Sequence, residues 1–315
     1  MRIAITGAGG RLGRALVAAL EEAPFTGPSG PLAWSRPDYD LDDPSSAARV
    51  VGRAAPEVVV HAAAWTDVDG CAREPERAMR RNALAVAELA EACAAAGTDL
   101  VLVSTNEVFD GRRTDGRGYA PGDRPAPGNP YGASKLAGES AAQAAFLRRG
   151  GVLAAADAAR SAGPQLAIVR TAWLFGPPGN DFPGKILAGA ERARAAGEPL
   201  RVVGDEVGSP TYAPDLADAI AELLAGGAYA GVHHLVNGGA ASRAAWARAV
   251  LAAAGLDVPV AEVPLAGWAR ASAVPAWAVL APTPLPSGEP LRPWEAALAD
   301  YLPILLRGRA PGARS

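Results

Sequence analysis

Arg2-Ile3-Ala4-Ile5-Thr6-Gly7-Ala8-Gly9-Gly10-Arg11-Leu12-Gly13 is the stretch that decides the fold. A short apolar run passes straight into a glycine-rich turn. The turn passes into an amphipathic helical pattern from Arg11 to Glu22. Gly7, Gly10 and Gly13 carry the G-x-x-G-x-x-G spacing. The first glycines permit a tight turn and close backbone approach to a pyrophosphate, and the last permits close helix packing. The helix N-terminus then faces the anion. This order predicts a dinucleotide site at Gly7, Gly10, Arg11, Leu12 and Gly13.

Strand and helix patterns alternate onward from this turn. Leu32 to Ser35 reads as a second strand, Pro44 to Ala54 as a helix and Val58 to His61 as a third strand. Glu74 to Ala96 reads as one long Ala-rich helix, and Leu100 to Ser104 as a fourth strand. Asn129 to Arg149 reads as a helix and Leu166 to Arg170 as a fifth strand. The rhythm predicts an α/β fold with a Rossmann-type, doubly wound parallel sheet. Gly150-Gly151 breaks the pattern, so residues 150–163 are expected to be an insertion or a broken helix. After Trp173 the pattern is mixed, with short strands such as Leu200 to Val203 and His233 to Val236. The expected division is a dinucleotide-binding domain at residues 1–175, with help from about 200–225, and a smaller, interwoven C-terminal substrate-binding part at 176–315. The tail from Arg307 to Ser315 is expected to fray.

The 315 residues are 50% hydrophobic, enough for an ample core. A net charge of -3 gives no basic nucleic-acid surface. No apolar run reaches the ~18 residues of a membrane span. The start is too short and too quickly glycine-rich for a signal peptide, so a cytoplasmic location is expected. Cys71 and Cys93 are expected to be buried, reduced thiols. None of His61, His233 and His234 has metal-ligand partners at useful spacing, and no metal is expected.

Tyr131-Gly132-Ala133-Ser134-Lys135 places a phenol and an ammonium on one helical face. Lys135 and Lys185 are the only lysines among the 30 Lys and Arg residues, which makes a lysine beside Tyr131 read as required. A neighbouring cation lowers the pKa of a phenol and suits it to proton transfer. Thr105, after the fourth strand, is placed to hydrogen-bond a substrate carbonyl. The second strand ends at Trp34-Ser35-Arg36, with no carboxylate before Asp38. An acidic residue there favours NAD, whereas an arginine favours a 2′-phosphate. Ser35 and Arg36 therefore favour NADP(H), with NAD(H) as the alternative.

Further stretches join these residues: His61-Ala62-Ala63-Ala64-Trp65-Thr66-Asp67-Val68-Asp69, Ser104-Thr105-Asn106-Glu107-Val108-Phe109-Asp110-Gly111, Asn129 to Glu139, Arg170 to Gly176, and Gly208-Ser209-Pro210-Thr211-Tyr212-Ala213. Together they resemble the extended short-chain dehydrogenase/reductase superfamily, and within it the dTDP-4-dehydrorhamnose reductases. The similarity runs from Met1 to about Asp300 and is strongest before Ile220.

The resemblance implies reduction of the C4 ketone of a nucleotide-linked 6-deoxy sugar. It implies Tyr131 as general acid, with Lys135 lowering its pKa and contacting the nicotinamide ribose, and Thr105 polarising the carbonyl. It implies Ala62, Ala63 and Ala64 beside the cofactor, and Trp65, Asn106, Glu107, Trp173, Ser209 and Thr211 at the substrate. Asn82 is implied as a structural or cofactor-adjacent residue. A homodimer is the implied assembly.

The chain departs from the pattern at Asn106-Glu107, where these reductases carry Asp-Tyr, and at Val274-Pro275, where they carry Arg-Pro. Thr105-Asn106-Glu107 is also similar to the Thr-Asp-Glu of nucleotide-sugar 4,6-dehydratases. A dehydratase or epimerase is therefore one alternative, and a non-catalytic, cofactor-binding regulatory relative another.

Overall fold

The computed structural model describes residues 1–155 and 163–309. Its centre is a parallel sheet. The strands are β1 (Ile3–Thr6), β2 (Leu32–Trp34), β3 (Val58–His61), β4 (Asp99–Thr105), β5 (Leu166–Thr171) and a late strand, β10 (Gly231–His234). Their order across the sheet is β10-β5-β4-β3-β1-β2, and every pair runs parallel. The order in which successive strands are added reverses between β1 and β3, and ligands of such sheets bind beyond the carboxyl ends of the strands at that point.

Residues on alternate positions of each strand supply opposite cores. Ile3, Ile5, Val58, Val60 and Val101 pack against helix α1 (Arg11–Glu21) and a later helix at Ala213–Gly226. Ala4, Val59, Leu100 and Leu102 pack against α2 (Ser46–Ala54) and two further helices, α5 (Ala85–Ala96) and α6 (Pro130–Arg148). Burial on both faces explains why these strands read as continuous apolar runs rather than alternating ones.

The helix expected from Glu74 to Ala96 is present, but it is not one uniform helix. A short helix α3 (Val68–Arg73) precedes α4 (Pro75–Met79), and a π-helical turn at Arg80–Leu84 joins α4 to α5. The strand expected at His233 to Val236 lies two residues earlier. Half of the expected break at 150–163 lies outside the described residues, as does most of the tail.

After β5, the chain builds a third apolar cluster around Phe175, Trp246, Trp294 and Tyr301. It lies between α7 (Phe182–Ala196), α9 (Arg243–Ala253) and α10 (Trp294–Arg307). The intervening helix α8 is the Ala213–Gly226 segment, which packs on α1. Short strand pairs fasten this half: β6 (Leu174–Phe175) with β9 (Thr211–Tyr212), and β8 (Val207–Gly208) with β11 (Ala241–Ser242) and β13 (Trp277–Ala278). β7 (Leu200–Val203) pairs with β12 (Val260–Val263). No helix among the described residues is long and apolar enough to cross a membrane.

Candidate active site

The glycine turn sits at the switch point and is closely packed. Gly7 has φ +68°, a conformation that favours glycine, and a Cβ there would lie 2.8 Å from the Ala63 nitrogen. A Cβ on Gly13 would lie 2.1 Å from the Gly7 carbonyl oxygen. The Gly10 amide donates to that same oxygen at 2.9 Å. Gly9 N donates to Ser35 Oγ at 3.0 Å, which ties the turn to the end of β2. These contacts leave bare backbone facing a cleft of about 560 Å³. A pyrophosphate suits such a cradle, because the glycines present backbone and no side chains at the helix N-terminus.

The cleft runs from Gly7, Gly10, Arg11, Leu12 and Gly13, past Ala62 and Ala64, to Thr105, Asn106, Glu107, Tyr131, Lys135 and Trp173. A neighbouring pocket of about 400 Å³ shares the glycine turn and adds Ser35, Arg36, Ala63 and Trp65. The expected adenosine-side and reaction-side residues thus lie at opposite ends of one continuous lining, except that Trp65, expected at the substrate, lines the adenosine-side pocket because the loop after β3 turns it there. Ser209 and Thr211 line neither space. Both are fully buried: Ser209 Oγ accepts from Leu280 N at 3.2 Å, and Thr211 Oγ1 donates to the Ser209 carbonyl at 3.2 Å.

Helix α6 delivers Tyr131 and Lys135. Its N-cap is Asn129, whose Oδ1 accepts from Gly132 N at 2.8 Å. Pro130 follows at a position where a missing N–H costs nothing. The Asn129 amide also donates to Glu107 Oε2 at 2.6 Å and to the Ala273 carbonyl at 2.8 Å. A single side chain therefore caps the helix, aims Glu107 and anchors the loop before β13. The bare Cα of Gly132 lets α6 approach that strand end, since a Cβ would lie 2.0 Å from the Glu107 carbonyl oxygen.

The electrostatics of the Tyr131–Lys135 pair differ from the sequence expectation. Tyr131 is buried, and its pKa is pushed up, by burial first and then by the Glu107 charge; the Thr105 hydroxyl acts in the opposite sense. Lys135 Nζ donates to the Val103 carbonyl at 2.8 Å. Burial pulls its pKa down to about 8, partly offset by Glu139. The expected lowering of the Tyr131 pKa by Lys135 is not found: burial and Glu107 raise it, and at neutral pH the phenol keeps its proton. Glu107 is raised as well, by burial first, with Asn129 opposing.

Thr105 ends β4 with its hydroxyl donating to Asn106 Oδ1 at 3.2 Å and accepting from Glu107 N at 3.2 Å. Asn106 Nδ2 is committed to the Ala278 carbonyl at 3.2 Å. His61 lies beneath the cofactor side. Its Nδ1 meets Thr6 Oγ1 at 2.8 Å, and burial drives its pKa down to about 3. Among the described residues, no cluster of His, Cys, Asp and Glu stands in metal-binding geometry.

The structure also supplies contacts that the sequence does not show, at Asn82 and Arg11, which the sequence already names, and at Asp69. Asn82, in the π-helical turn, accepts from Trp65 N at 2.9 Å and donates to Trp65 O at 3.0 Å and to Ser134 Oγ at 3.1 Å. It clamps the loop after β3 to the helix of Tyr131. Arg11 Nε donates to Gly176 O at 3.0 Å, and its Nη2 to Asn180 Oδ1 at 2.6 Å, so the loop before α7 is drawn onto the first helix. Asp69 accepts from Ser272 N at 2.9 Å and pairs with Arg270 at 3.3 Å. Only π-helical geometry and long-range pairing reveal these roles, and neither leaves a local sequence mark.

Comparison with known proteins agrees with this arrangement. A dTDP-4-dehydrorhamnose reductase of Mycobacterium tuberculosis is 38% identical over 313 residues, covering 96% of this chain and 92% of the relative. The crystal structure of a dTDP-4-dehydrorhamnose reductase from Clostridium acetobutylicum superposes with a TM-score of 0.84 at 28% identity, covering 97% of this chain and all of that one. A dTDP-4-dehydrorhamnose reductase from Bacillus anthracis, solved in complex with NADP, gives a TM-score of 0.80 at 30% identity, covering 96% of this chain and 99% of that one. The model of the RmlD substrate binding domain matches residues 1–306, and the chain belongs to that family.

Proposed function

We propose that the protein is an NADPH-dependent reductase that converts the C4 ketone of a dTDP-linked 6-deoxy sugar into an alcohol. The carrying observation is that Thr105, Tyr131 and Lys135 converge on a cleft that begins at the glycine cradle. Kinship with the reductases, one of them solved with NADP, supports both the substrate class and the cofactor. Arg36, lining the adenosine-side pocket with Ser35, suits the 2′-phosphate.

NADPH held along the cleft supplies the hydride. The chain's own residues manage the oxygen and the proton. Tyr131, protonated at neutral pH, is the general acid that delivers its proton to the former carbonyl oxygen. Thr105, beside it, orients that oxygen. Lys135, held by the Val103 carbonyl, presents a cation to the ribose side of the cleft. Glu107 and Trp173 line the sugar-nucleotide end. The sheet and its helices thus serve the dinucleotide, and the cluster after Trp173 serves the sugar nucleotide. A dehydration chemistry is disfavoured, because the amide of Asn106 cannot supply a carboxylic-acid proton and is spent on Ala278.

The test is NADPH consumption by purified protein over a panel of 4-keto-6-deoxy sugar nucleotides. The reading predicts turnover with a dTDP-linked member. Consumption with none of them contradicts it.

A further inference from the structure

Trp173 has an unusual backbone. Its φ is +43°, in a region that a bulky residue rarely occupies. Such strain persists only where the surroundings hold it, and it gathers at functional sites. Several groups hold this indole. The Arg243 guanidinium lies 3.4 Å from its ring centroid. The Trp246 ring stacks within 9° of parallel at 5.7 Å. Gly208 completes the enclosure, because a Cβ there would lie 2.5 Å from Trp173 Cε2.

Arg243 is itself placed against its own helix. It is the first residue of α9, after the N-cap Ser242. A cation is disfavoured at that end of a helix, where the backbone dipole is positive. Glu206 compensates. Its buried carboxylate takes Arg243 Nη2 at 2.8 Å and Nε at 3.1 Å, and its carbonyl takes Arg243 N at 3.0 Å. A planar fork pinned at its edge leaves its flat face free to stack. The Arg243 charge also reaches Glu107, which lines the cleft with Trp173.

We propose that Arg243 is a positioning residue for the sugar nucleotide: braced by Glu206, it holds the strained Trp173 indole in the geometry that receives the substrate. The proposal rests on the reductase reading for the identity of the ligand. It assigns to Arg243 and Glu206 an effect on substrate binding and none on the dinucleotide, whose cradle lies at the other end of the cleft.

The test compares the parent protein with Arg243→Ala, Arg243→Lys and Glu206→Gln. Affinity for dTDP-glucose, which has no ketone, is measured by calorimetry, affinity for NADPH by fluorescence, and KM and kcat with the ketosugar. Arg243→Ala is expected to weaken dTDP-glucose and raise KM by about two- to thirtyfold, the range of a cation–π contact, with NADPH affinity and kcat near those of the parent. Arg243→Lys, which keeps charge but loses the planar stack, recovers part of the loss. Glu206→Gln gives a smaller shift in the same direction. Unchanged dTDP-glucose affinity in the variants overturns the proposal, as does an equal loss of NADPH affinity. If Arg243→Ala does not fold, the lysine and Glu206 variants decide by the same readings. Because dTDP-glucose binding needs no turnover, an inactive parent refutes the reductase reading while the positioning claim is still decided.

Discussion

Arg170 and Glu139 form a buried bidentate ion pair, with Nη2 to Oε2 at 2.7 Å and Nε to Oε1 at 3.1 Å. Arg170 belongs to β5 and Glu139 to α6. Ser104, on β4, donates to the same carboxylate. The helix that carries Tyr131 and Lys135 is thereby pinned to the strand that carries Thr105. The side chains of the pair are only 5% and 3% exposed, so either charge left alone has no access to water. Glu139→Ala is expected to destabilise the fold by about 3–5 kcal/mol, because it strands the guanidinium. Urea denaturation reads this directly, and an unchanged midpoint contradicts it.

Asn82 gives a second stability prediction with a functional arm. Its amide satisfies both backbone groups of Trp65 and reaches Ser134 on α6. Asn82→Ala leaves the half-buried Trp65 N–H without its partner and takes one partner each from Trp65 O and Ser134 Oγ, at a cost of about 1–3 kcal/mol. NADPH affinity is expected to fall with it, since Trp65 lines the adenosine-side pocket. A variant with normal stability and normal NADPH binding contradicts this account of the π-helical turn.

The alkaline limb of the pH profile should report Lys135. Burial lowers its pKa from 10.5 to about 8, so the folded chain loses this proton while the unfolded chain still holds it. The burial penalty is fully present below about pH 8. It is relieved as pH rises toward 10.5, and through this group stability increases across that window. Cofactor capture runs the other way, because the cation disappears. The kcat/KM for NADPH is expected to fall above about pH 8. A flat profile through pH 9.5, about 1.5 units beyond that midpoint, contradicts the assignment.

Arg36 is the prediction for cofactor choice. Arg36→Ala is expected to weaken NADPH by about 10–100-fold, the value of a charge-assisted contact, and to leave NADH nearly unchanged. Equal effects on both cofactors remove Arg36 from 2′-phosphate recognition.

Much of this arrangement is legible in the chain. The Ile3–Thr6 strand, the glycine spacing and the alternation of apolar runs force a doubly wound sheet, because each strand must bury both faces. The Tyr131–Lys135 spacing is legible because four residues make one helical turn. What escapes is whatever depends on side-chain direction. Ser209 and Thr211 lie in a stretch that resembles a substrate loop, yet both hydroxyls turn into backbone hydrogen bonds inside the protein. The π-helical turn at Arg80–Leu84 keeps an ordinary helical composition, so the resemblance marks Asn82 as structural or cofactor-adjacent but only its partners show what it clamps. The charge state of Tyr131 escapes for a related reason. Spacing shows that a lysine is near on the helix, but only the packed interior shows that desolvation and Glu107 set the Tyr131 pKa, upward.

The most direct test of the central claim is Tyr131→Phe, assayed beside the parent for NADPH consumption with a dTDP-4-keto-6-deoxy sugar and for NADPH binding. The account predicts a fall in turnover of about 10²–10⁴-fold, the contribution of a general acid, with NADPH affinity retained. Turnover equal to that of the parent contradicts it.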